Sequence, residues 1–489
     1  MTQYDSLMAH ARQTEALAQV AGRLGWDQET VMPRGAAAQR AEEMAAMEQV
    51  LHARRCAPEL GDWLAAIAPD NAVQAAQIRH IRRSYDRATK VPADLAAAIA
   101  RVTSLAQGDW AAARAADDVA AFAPRLAEVV ALKREEAAAL AAGGDLYDAL
   151  LNDFEPGATA AGLETMFDAL RPRLVALRDK VLGVAHPADL KGSFPEEAQL
   201  AMAQELAEVF GYDLTRGRID KAVHPFSSGS GADVRITTRT DPKDPFNCFY
   251  STIHEVGHAT YEQQVDPAYA LTPIGAGASM GVHESQSRIY ENQLARSPAF
   301  AKWLFARMKV KFGAFGIENA DDFARALNRV GPGFVRTEAD EIQYNLHVML
   351  RFDLERALIA GDLAVGDLEE AWNARFFKDF GVEVPKPSLG VLQDVHWSVG
   401  LFGYFPTYTL GNVYAGCLFK RLQEDLPDLQ ADLAVGDTTA ALQWLRTHLQ
   451  VHGALRDGAD TIAHATGEAP SEAPLLDYLE AKFGALYGL

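Results

Sequence analysis

The chain has 489 residues, of which 49% are hydrophobic and 23% charged, a composition typical of a globular protein with a sizeable core and not of a disordered one. Its formal net charge of -20 is spread along the sequence, which argues against binding to nucleic acids or to anionic membranes. The three cysteines, Cys56, Cys248 and Cys417, have no paired spacing, so neither a disulfide framework nor a thiolate zinc site is expected.

The pattern of hydrophobic residues contains no signal for export or membrane insertion. Residues 1–20 are polar and helical in pattern, without the apolar segment of a signal peptide. No run of about 18 uninterrupted apolar residues follows. Together with the few cysteines, this predicts a cytoplasmic protein.

Residues 1–220 are predicted to form the N-terminal, all-helical half of a single domain. Ala, Leu, Glu and Arg dominate this half, and residues 92–116 and 163–182 have the apolar periodicity of amphipathic helices. The breaks at Pro and Gly clusters are typical of connections between helices, not of linkers between domains. We expect residues 221–489 to complete one domain that spans 1–489.

Residues 223–240 interrupt the helical pattern and predict a small β-ribbon. A Gly/Ser turn joins two segments, and Val234, Ile236 and Thr238 alternate with polar positions as in a half-buried strand. From about residue 247 the helical pattern returns and continues towards the C-terminus. The predicted fold class is therefore mainly α with a minor sheet.

The segment HEVGH, residues 254–258, follows the ribbon in a helical pattern. Two histidines four residues apart share one face of a helix, so His254 and His258 can bind one metal ion. Glu255 lies at the flank of that face and can take a proton from a water molecule that the ion activates. An adjacent stripe of residues is predicted to anchor the helix in the core: Phe249, Ile253, Val256 and Thr260. The pattern favours a zinc-type peptidase, and a chance match is the alternative.

A catalytic zinc ion usually has three protein ligands, and the extended form His-x-x-Gly-x-x-His is absent because residues 259–264 read ATYEQQ. A second predicted helix, after the Gly-rich residues 275–281, contains His283 and Glu284 side by side. Neighbouring helical residues diverge by about 100 degrees, so only one of the two can face the ion. Glu284 would complete a two-His, one-Glu site. His283 would then be an outer hydrogen-bond partner or a core residue, and spacing does not choose between these roles.

Several ordered motifs make nearly the whole chain similar to the thermostable carboxypeptidase Taq family of metallocarboxypeptidases. The metal positions follow the family pattern, and Val335 stands where isoleucine is expected, a conservative apolar change. The motifs are WDQETVMP (26–33), HPF (224–226), DVRIT (233–237), HEVGH (254–258), HESQSR (283–288), VRTEAD (335–340) and GVLQDVHW (390–397).

The resemblance implies a mostly helical, groove-shaped zinc peptidase fold and a homodimer. It implies release of single C-terminal amino acids from peptides, with broad side-chain tolerance. It also implies His254, His258 and Glu284 as metal ligands and Glu255 as the general base. Zinc is the expected ion and cobalt is the alternative.

An exopeptidase must bind a free terminal carboxylate, which suits the planar, permanently charged guanidinium of arginine. Membership of the family motifs favours Arg235 and Arg336 for this role, whereas Arg239 is expected to be a surface residue in a solvated ion pair. His224, beside the ribbon, is a further candidate for substrate binding, with capping or packing as the alternative.

His396, Tyr404 and Tyr408 can donate hydrogen bonds to the oxyanion that forms when a peptide carbonyl is attacked. We favour His396 and Tyr408 as catalytic residues, and a place in the groove wall or core is the alternative for each. His347 lies among apolar residues at helical spacing and is expected to be structural.

The sequence therefore predicts a metal-dependent carboxypeptidase that acts on peptides with a free C-terminus. An oligopeptidase or a dipeptidyl carboxypeptidase on a related helical zinc scaffold would share the metal site and differ in how the groove is closed. A helical binding protein whose HEVGH segment carries no chemistry is the alternative from a different class.

Overall fold

The computed structural model describes residues 2–489, and most of these residues lie in α-helices. The helices are α1 (Gln3–Thr30), α2 (Ala37–Arg55), α3 (Pro58–Ala66), α4 (Ala72–Lys90), α5 (Ala93–Ala116), α6 (Val119–Ala141), α7 (Leu146–Leu151), α8 (Ala160–Leu182), α9 (Glu196–Val209), α10 (Pro245–Gln264), α11 (Met280–Arg288), α12 (Pro298–Phe312), α13 (Ala320–Leu327), α14 (Glu341–Ala360), α15 (Leu368–Phe380), α16 (Pro406–Asp425), α17 (Leu429–Ala434), α18 (Thr439–His448), α19 (Gly458–Thr466) and α20 (Ala473–Tyr487). The strands are β1 (Ile219–Lys221), β2 (Ser227–Ser230) and β3 (Asp233–Thr238). The predicted fold class, mainly α with a minor sheet, is confirmed.

The sheet has the strand order β1-β3-β2. β2 pairs with β3 in the antiparallel sense, with Ser230 opposite Asp233, and this pair is the predicted ribbon. β1 pairs with β3 in the parallel sense and was missed, because a three-residue strand is too short to have a recognisable alternation. Gly229 permits the tight turn: its φ is +102°, and a Cβ there would lie 2.0 Å from the Asp233 carbonyl oxygen.

The two helices that carry the predicted metal ligands begin at side-chain caps. The Asp244 carboxylate accepts a hydrogen bond from the Phe246 N–H at the start of α10, and Pro245 is the first residue of that helix. The Ser279 hydroxyl accepts from the Val282 N–H at the start of α11. The predicted anchoring stripe of α10 is buried throughout: Phe249, Ile253, Val256 and Thr260.

The described residues form two compact units. The first unit contains the chain up to Thr89, Pro187–Asn328 and Tyr414–Pro470, and thus the sheet with α10 and α11. The second unit contains Lys90–His186, Arg329–Val413 and Ser471–Leu489. Both units contain residues from each of the two sequence halves, 1–220 and 221–489. That the whole chain acts as one domain stays a prediction.

Among residues 2–489, no helix combines the length and the apolar character needed to cross a bilayer.

Candidate functional site

Three residues that the sequence predicted as metal ligands converge in the first unit. Glu284 Oε2 of α11 lies 3.7 Å from His254 Nε2 and 3.4 Å from His258 Nε2 of α10. One candidate ligand atom from each residue lies within 4.8 Å of the other two, and no second such group of His, Cys, Asp or Glu occurs among the described residues. The open choice at positions 283 and 284 is thereby decided in favour of Glu284 as the residue that faces the histidine pair.

The convergence depends on a close approach of α10 and α11 at Gly257. A Cβ atom at this position would lie 2.5 Å from the Gln286 carbonyl oxygen and 2.6 Å from the Ser287 Cα. Both neighbours are backbone atoms that cannot turn away, so a larger residue would push the helices apart. The sequence pattern leaves this position unspecified, and the need for glycine was missed there.

His254 has an outer carboxylate partner that the sequence did not reveal. Its Nδ1 lies 2.9 Å from Glu291 Oε2. Glu291 belongs to a π-helical segment, Ile289–Ala295, that continues α11, and such segments are rare and frequent at functional sites. Arg288 donates to Glu284 Oε1 at 2.6 Å and also approaches Glu291 at 3.5 Å. One arginine therefore orients both carboxylates.

His258 has a different outer partner. Its Nδ1 lies 2.6 Å from His283 Nδ1, and His283 Nε2 lies 2.9 Å from Glu262 Oε1. Glu262 Oε1 also accepts the Gly277 N–H at 2.9 Å. The structure thus places His283 beside the candidate metal position, behind one of the two histidines, which is the outer hydrogen-bond role considered for it.

Burial and neighbouring charges shift the pKa values of Glu284, His258 and His254 in different directions. Burial raises the pKa of Glu284, but Arg288 and His254 lower it more, so this pKa lies well below its ordinary value. Burial lowers the pKa of His258 to about 3, which leaves its ring neutral. Burial also lowers the pKa of His254, but Glu284 and Glu291 outweigh it and the net shift is upward.

Glu255 lies beside the histidine pair and is only 6% exposed. Burial raises the pKa of its carboxyl group to about 7, against the opposing effect of His254 and with a further rise from Glu284. A carboxyl group in this range can both accept and return a proton near neutral pH.

The donor set fits a divalent transition-metal ion. Two imidazole nitrogens and one carboxylate oxygen are the protein ligands of many catalytic zinc sites, which keep a further position open. Imidazole suits zinc and its neighbours in the transition series better than magnesium or calcium. The residues that would hold such an ion are His254, His258 and Glu284.

A second cluster lies in the second unit around Asp394. Arg336 donates from Nε at 3.1 Å and from Nη2 at 3.0 Å to Asp394 Oδ1, while Arg351 donates from Nε to Oδ2 at 2.7 Å. Arg336 is 5% exposed and Arg351 is fully buried. Two guanidinium groups thus face one carboxylate. The roles of Arg351 and Asp394 were not predicted, because nothing in the helical pattern of α14 shows that Arg351 reaches a distant loop.

Three further predicted residues meet in this cluster. The ring of Tyr408 lies 4.9 Å from the guanidinium carbon of Arg336, and the Tyr408 hydroxyl lies 3.3 Å from His396 Nε2. Burial lowers the pKa of His396 to about 4, so the ring is neutral near pH 7. The Tyr404 ring is 5.3 Å from that of Tyr408. His347, fully buried with its ring 4.6 Å from Phe380, has the surroundings expected of a structural residue.

The predicted residues of the ribbon have different surroundings. Arg235 donates from Nε at 2.7 Å and from Nη2 at 3.0 Å to the two oxygens of Asp233, and its guanidinium lies 4.5 Å from the Trp26 ring. Arg239 lies one residue beyond β3 and donates to Asn247 Oδ1 at 2.6 Å. His224 is exposed between β1 and β2. Neither Arg235 nor His224 makes a hydrogen bond or ion pair with the metal-site residues in the described part of the chain.

Residues 6–483 match the family model described as carboxypeptidase Taq (M32) metallopeptidase. The chain is 41% identical to thermostable carboxypeptidase 1 of Thermus thermophilus, over 99% of each chain. Its structure is similar to that of an M32 carboxypeptidase from Deinococcus radiodurans, with a TM-score of 0.96, 37% identity and complete coverage of both chains. A carboxypeptidase structure from Pyrococcus furiosus matches with a TM-score of 0.96 and 32% identity, over 99% of each chain.

Replacing Gly257 by alanine is expected to weaken the metal site. The added methyl group forces α10 and α11 apart, which should cost about 1–3 kcal/mol of stability and move Glu284 away from the histidines. Zinc affinity measured by competition with a chromophoric chelator, together with the thermal unfolding midpoint, tests this. Gly22→Ala is the matched control, since a Cβ at Gly22 of α1 would meet nothing within 4 Å. Equal zinc affinity in Gly257→Ala and wild type would contradict the prediction.

Replacing Asp394 by asparagine is expected to destabilise the second cluster. Two buried guanidinium groups would lose the carboxylate that they share, and breaking a buried ion pair costs about 3–5 kcal/mol. Urea unfolding followed by tryptophan fluorescence measures the change. Asp109→Asn is the control, because Asp109 is exposed and pairs with Arg125 at the surface. A loss as small as that of the control would show that Asp394 does not hold the cluster together.

Proposed function

The chain belongs to the carboxypeptidase Taq (M32) family of metallopeptidases and is a metallocarboxypeptidase, and on this premise we propose that it releases single amino acids from the free C-termini of peptides. The family resemblance inferred from the ordered motifs is thereby confirmed. Broad tolerance for the terminal side chain is part of the proposal. The observation that carries it is the convergence of His254, His258 and Glu284 in a chain similar to carboxypeptidases over its whole length.

We propose His254, His258 and Glu284 as the metal ligands, with zinc as the ion and cobalt as the alternative. The mixed imidazole and carboxylate donors support this assignment. A zinc or cobalt ion held there would polarise the scissile carbonyl and make a water molecule more acidic. Glu291 and His283 support the ligands from behind, by hydrogen bonds to the ring nitrogens that face away from Glu284.

We assign the general base to Glu255. Its carboxylate takes a proton from the attacking water, whose oxygen bonds to the peptide carbonyl carbon, and returns that proton to the amine nitrogen as the C–N bond breaks. The position of Glu255 next to His254, its burial and the absence of a hydrogen bond to its carboxylate among the described residues support this role. A carboxylate already engaged by an arginine would be a much weaker base.

We propose that Arg336 binds the terminal carboxylate of the peptide and that Tyr408 and His396 stabilise the oxyanion. With His396 neutral, the cluster of Arg336, Arg351 and Asp394 has a net positive charge, which favours an anionic substrate group. The Tyr408 hydroxyl and His396 Nε2 lie 3.3 Å apart, which brings two groups that can donate hydrogen bonds to an oxyanion to one place.

Arg235 and His224 are proposed as additional contacts of the peptide with the ribbon. Asp233 occupies the bidentate edge of Arg235, and Trp26 covers one face of its guanidinium. These contacts support a role for Arg235 in holding the ribbon in place beside the peptide more than a role in binding the terminal carboxylate of the peptide. We further propose a cytoplasmic homodimer. That none of the three cysteines forms a disulfide bond supports the location, and the family resemblance supports the homodimer.

Replacing Glu255 by glutamine is expected to abolish turnover and to leave metal binding largely intact. The amide keeps the size of the side chain but cannot accept a proton, and loss of a general base should slow hydrolysis by roughly 10²–10⁴-fold. Amino-acid release from N-blocked peptides and metal content by atomic emission are the two measurements. Glu370→Gln, a surface change in α15, is the matched control. Near-normal turnover by Glu255→Gln would remove Glu255 from the mechanism.

Peptides with an amidated C-terminus are expected to be poor substrates of the zinc- or cobalt-loaded enzyme. The amide lacks the charge that the arginine cluster is proposed to bind, so its kcat/KM should fall by more than 10-fold, about the effect of losing one charged hydrogen bond. Paired peptides that differ only in the terminal group, analysed by mass spectrometry, measure this. Efficient cleavage of the amides would favour an oligopeptidase, and release of dipeptides would favour a dipeptidyl carboxypeptidase.

A further inference from the structure

The ring of His283 is held between two residues of α10 in the first unit. Its Nδ1 lies 2.6 Å from His258 Nδ1, and its Nε2 lies 2.9 Å from Glu262 Oε1. His258 and Glu262 are four residues apart, so they project from the same face of α10 and reach His283 from two adjacent turns. The three side chains therefore form a continuous hydrogen-bonded series that ends at a candidate metal ligand.

The position of each proton in this series follows from the Glu262 carboxylate at its outer end. Glu262 Oε1 already accepts the Gly277 N–H, so it is an acceptor for His283 as well, and His283 Nε2 is the donor. When an imidazole carries a single ring proton, one nitrogen donates and the other accepts, so a singly protonated His283 accepts at Nδ1. His258 Nδ1 must then donate. The lone pair of His258 Nε2 is left facing Glu284 Oε2, at 3.4 Å.

We propose that His283 and Glu262 are positioning residues that lock His258 in the tautomer whose Nε2 can bind the metal ion. This inference rests on the proposed role of His258 as a ligand. The tautomer of His254 is fixed without an intervening ring, because its Nδ1 lies 2.9 Å from the Glu291 carboxylate. The two histidine ligands thus differ, because a carboxylate lies behind His254 and a second imidazole ring lies behind His258.

The surroundings of His283 leave its ring little freedom. A Cβ at Gly277 would lie 2.6 Å from His283 Cδ2, so only glycine leaves room for the ring in this place. The Tyr261 ring lies 5.4 Å from that of His283, and the Tyr261 hydroxyl accepts the Ala278 N–H at 3.0 Å. The Gly-rich loop before α11 therefore holds the His283 ring in place, and this ring in turn orients His258.

The adjacent residues His283 and Glu284 then have separate tasks. Glu284 faces the metal position, and His283 supports a ligand from behind. In sequence terms, the His-Glu-x-x-His pattern is extended by Glu262, four residues beyond His258, and by the His-Glu pair of α11. Glu262, one helical turn beyond His258, and His283, the residue before Glu284, then act together to orient His258.

The test measures cobalt and zinc affinity of the full-length protein by chelator competition, together with the visible absorption spectrum of the cobalt form. His283→Phe keeps a ring of similar size but cannot accept from His258, and its metal affinity should fall by roughly 10- to 100-fold, the usual effect of losing such a partner. His283→Gln, whose amide can accept from His258 and donate to Glu262, should recover most of the affinity and the wild-type cobalt spectrum. His448→Phe is the matched control, because the ring of His448 contacts Trp444 of its own helix, by a hydrogen bond to the carbonyl and by ring stacking.

Unchanged metal affinity in His283→Phe would overturn the proposal, and so would a His283→Gln variant as weak as His283→Phe, since packing alone would then explain the loss. If His283→Phe does not fold, Gly277→Ala provides the same test. It leaves both residues in place but displaces the ring, so its affinity should fall, and wild-type affinity would overturn the inference. A wild-type protein that binds metal but releases no amino acids would refute the proposed function alone.

Discussion

The close approach of α10 and α11 at Gly257 is the constraint on which the candidate metal site depends. α10 by itself places His254, Glu255 and His258 on adjoining faces, but the third ligand candidate comes from another helix. Because the glycine has no side chain, the backbone of α11 can lie close enough for the Glu284 carboxylate to reach both histidines. The candidate metal site is thus a property of the packing of two helices as much as of a sequence pattern.

Both clusters bury charge, and both limit its cost by sharing partners. In the first unit Arg288 is shared between Glu284 and Glu291, and in the second unit Asp394 is shared between Arg336 and Arg351. A buried charge without a partner is costly, so each of these groups holds the others in place. In the second cluster the sharing leaves two guanidinium groups around one carboxylate, an excess of positive charge that suits an anion.

The sequence predicted the residues whose relation is local. His254, Glu255 and His258 follow from the period of one helix, and the mainly α fold class follows from apolar periodicity. Glu291, Glu262 and Asp394 were missed because their roles depend on which helices and loops meet, and on a π-helical segment whose geometry no periodicity rule includes. His283 and Glu284 lie between these cases: spacing showed that only one could face the ion, and the packing decided which.

The assembly of each unit from three separate stretches of chain has a consequence for how the protein is made. Part of the first stretch can collapse early, since Leu7, Leu60 and Ile81 pack within the first 89 residues. Ala76, however, packs against Ile274 and Ala454, which are synthesised much later. The first unit cannot be completed on the ribosome until nearly the whole chain has emerged, so its folding is governed by long-range contacts that form slowly. A fragment cut at residue 220 would lack partners for its own buried surface.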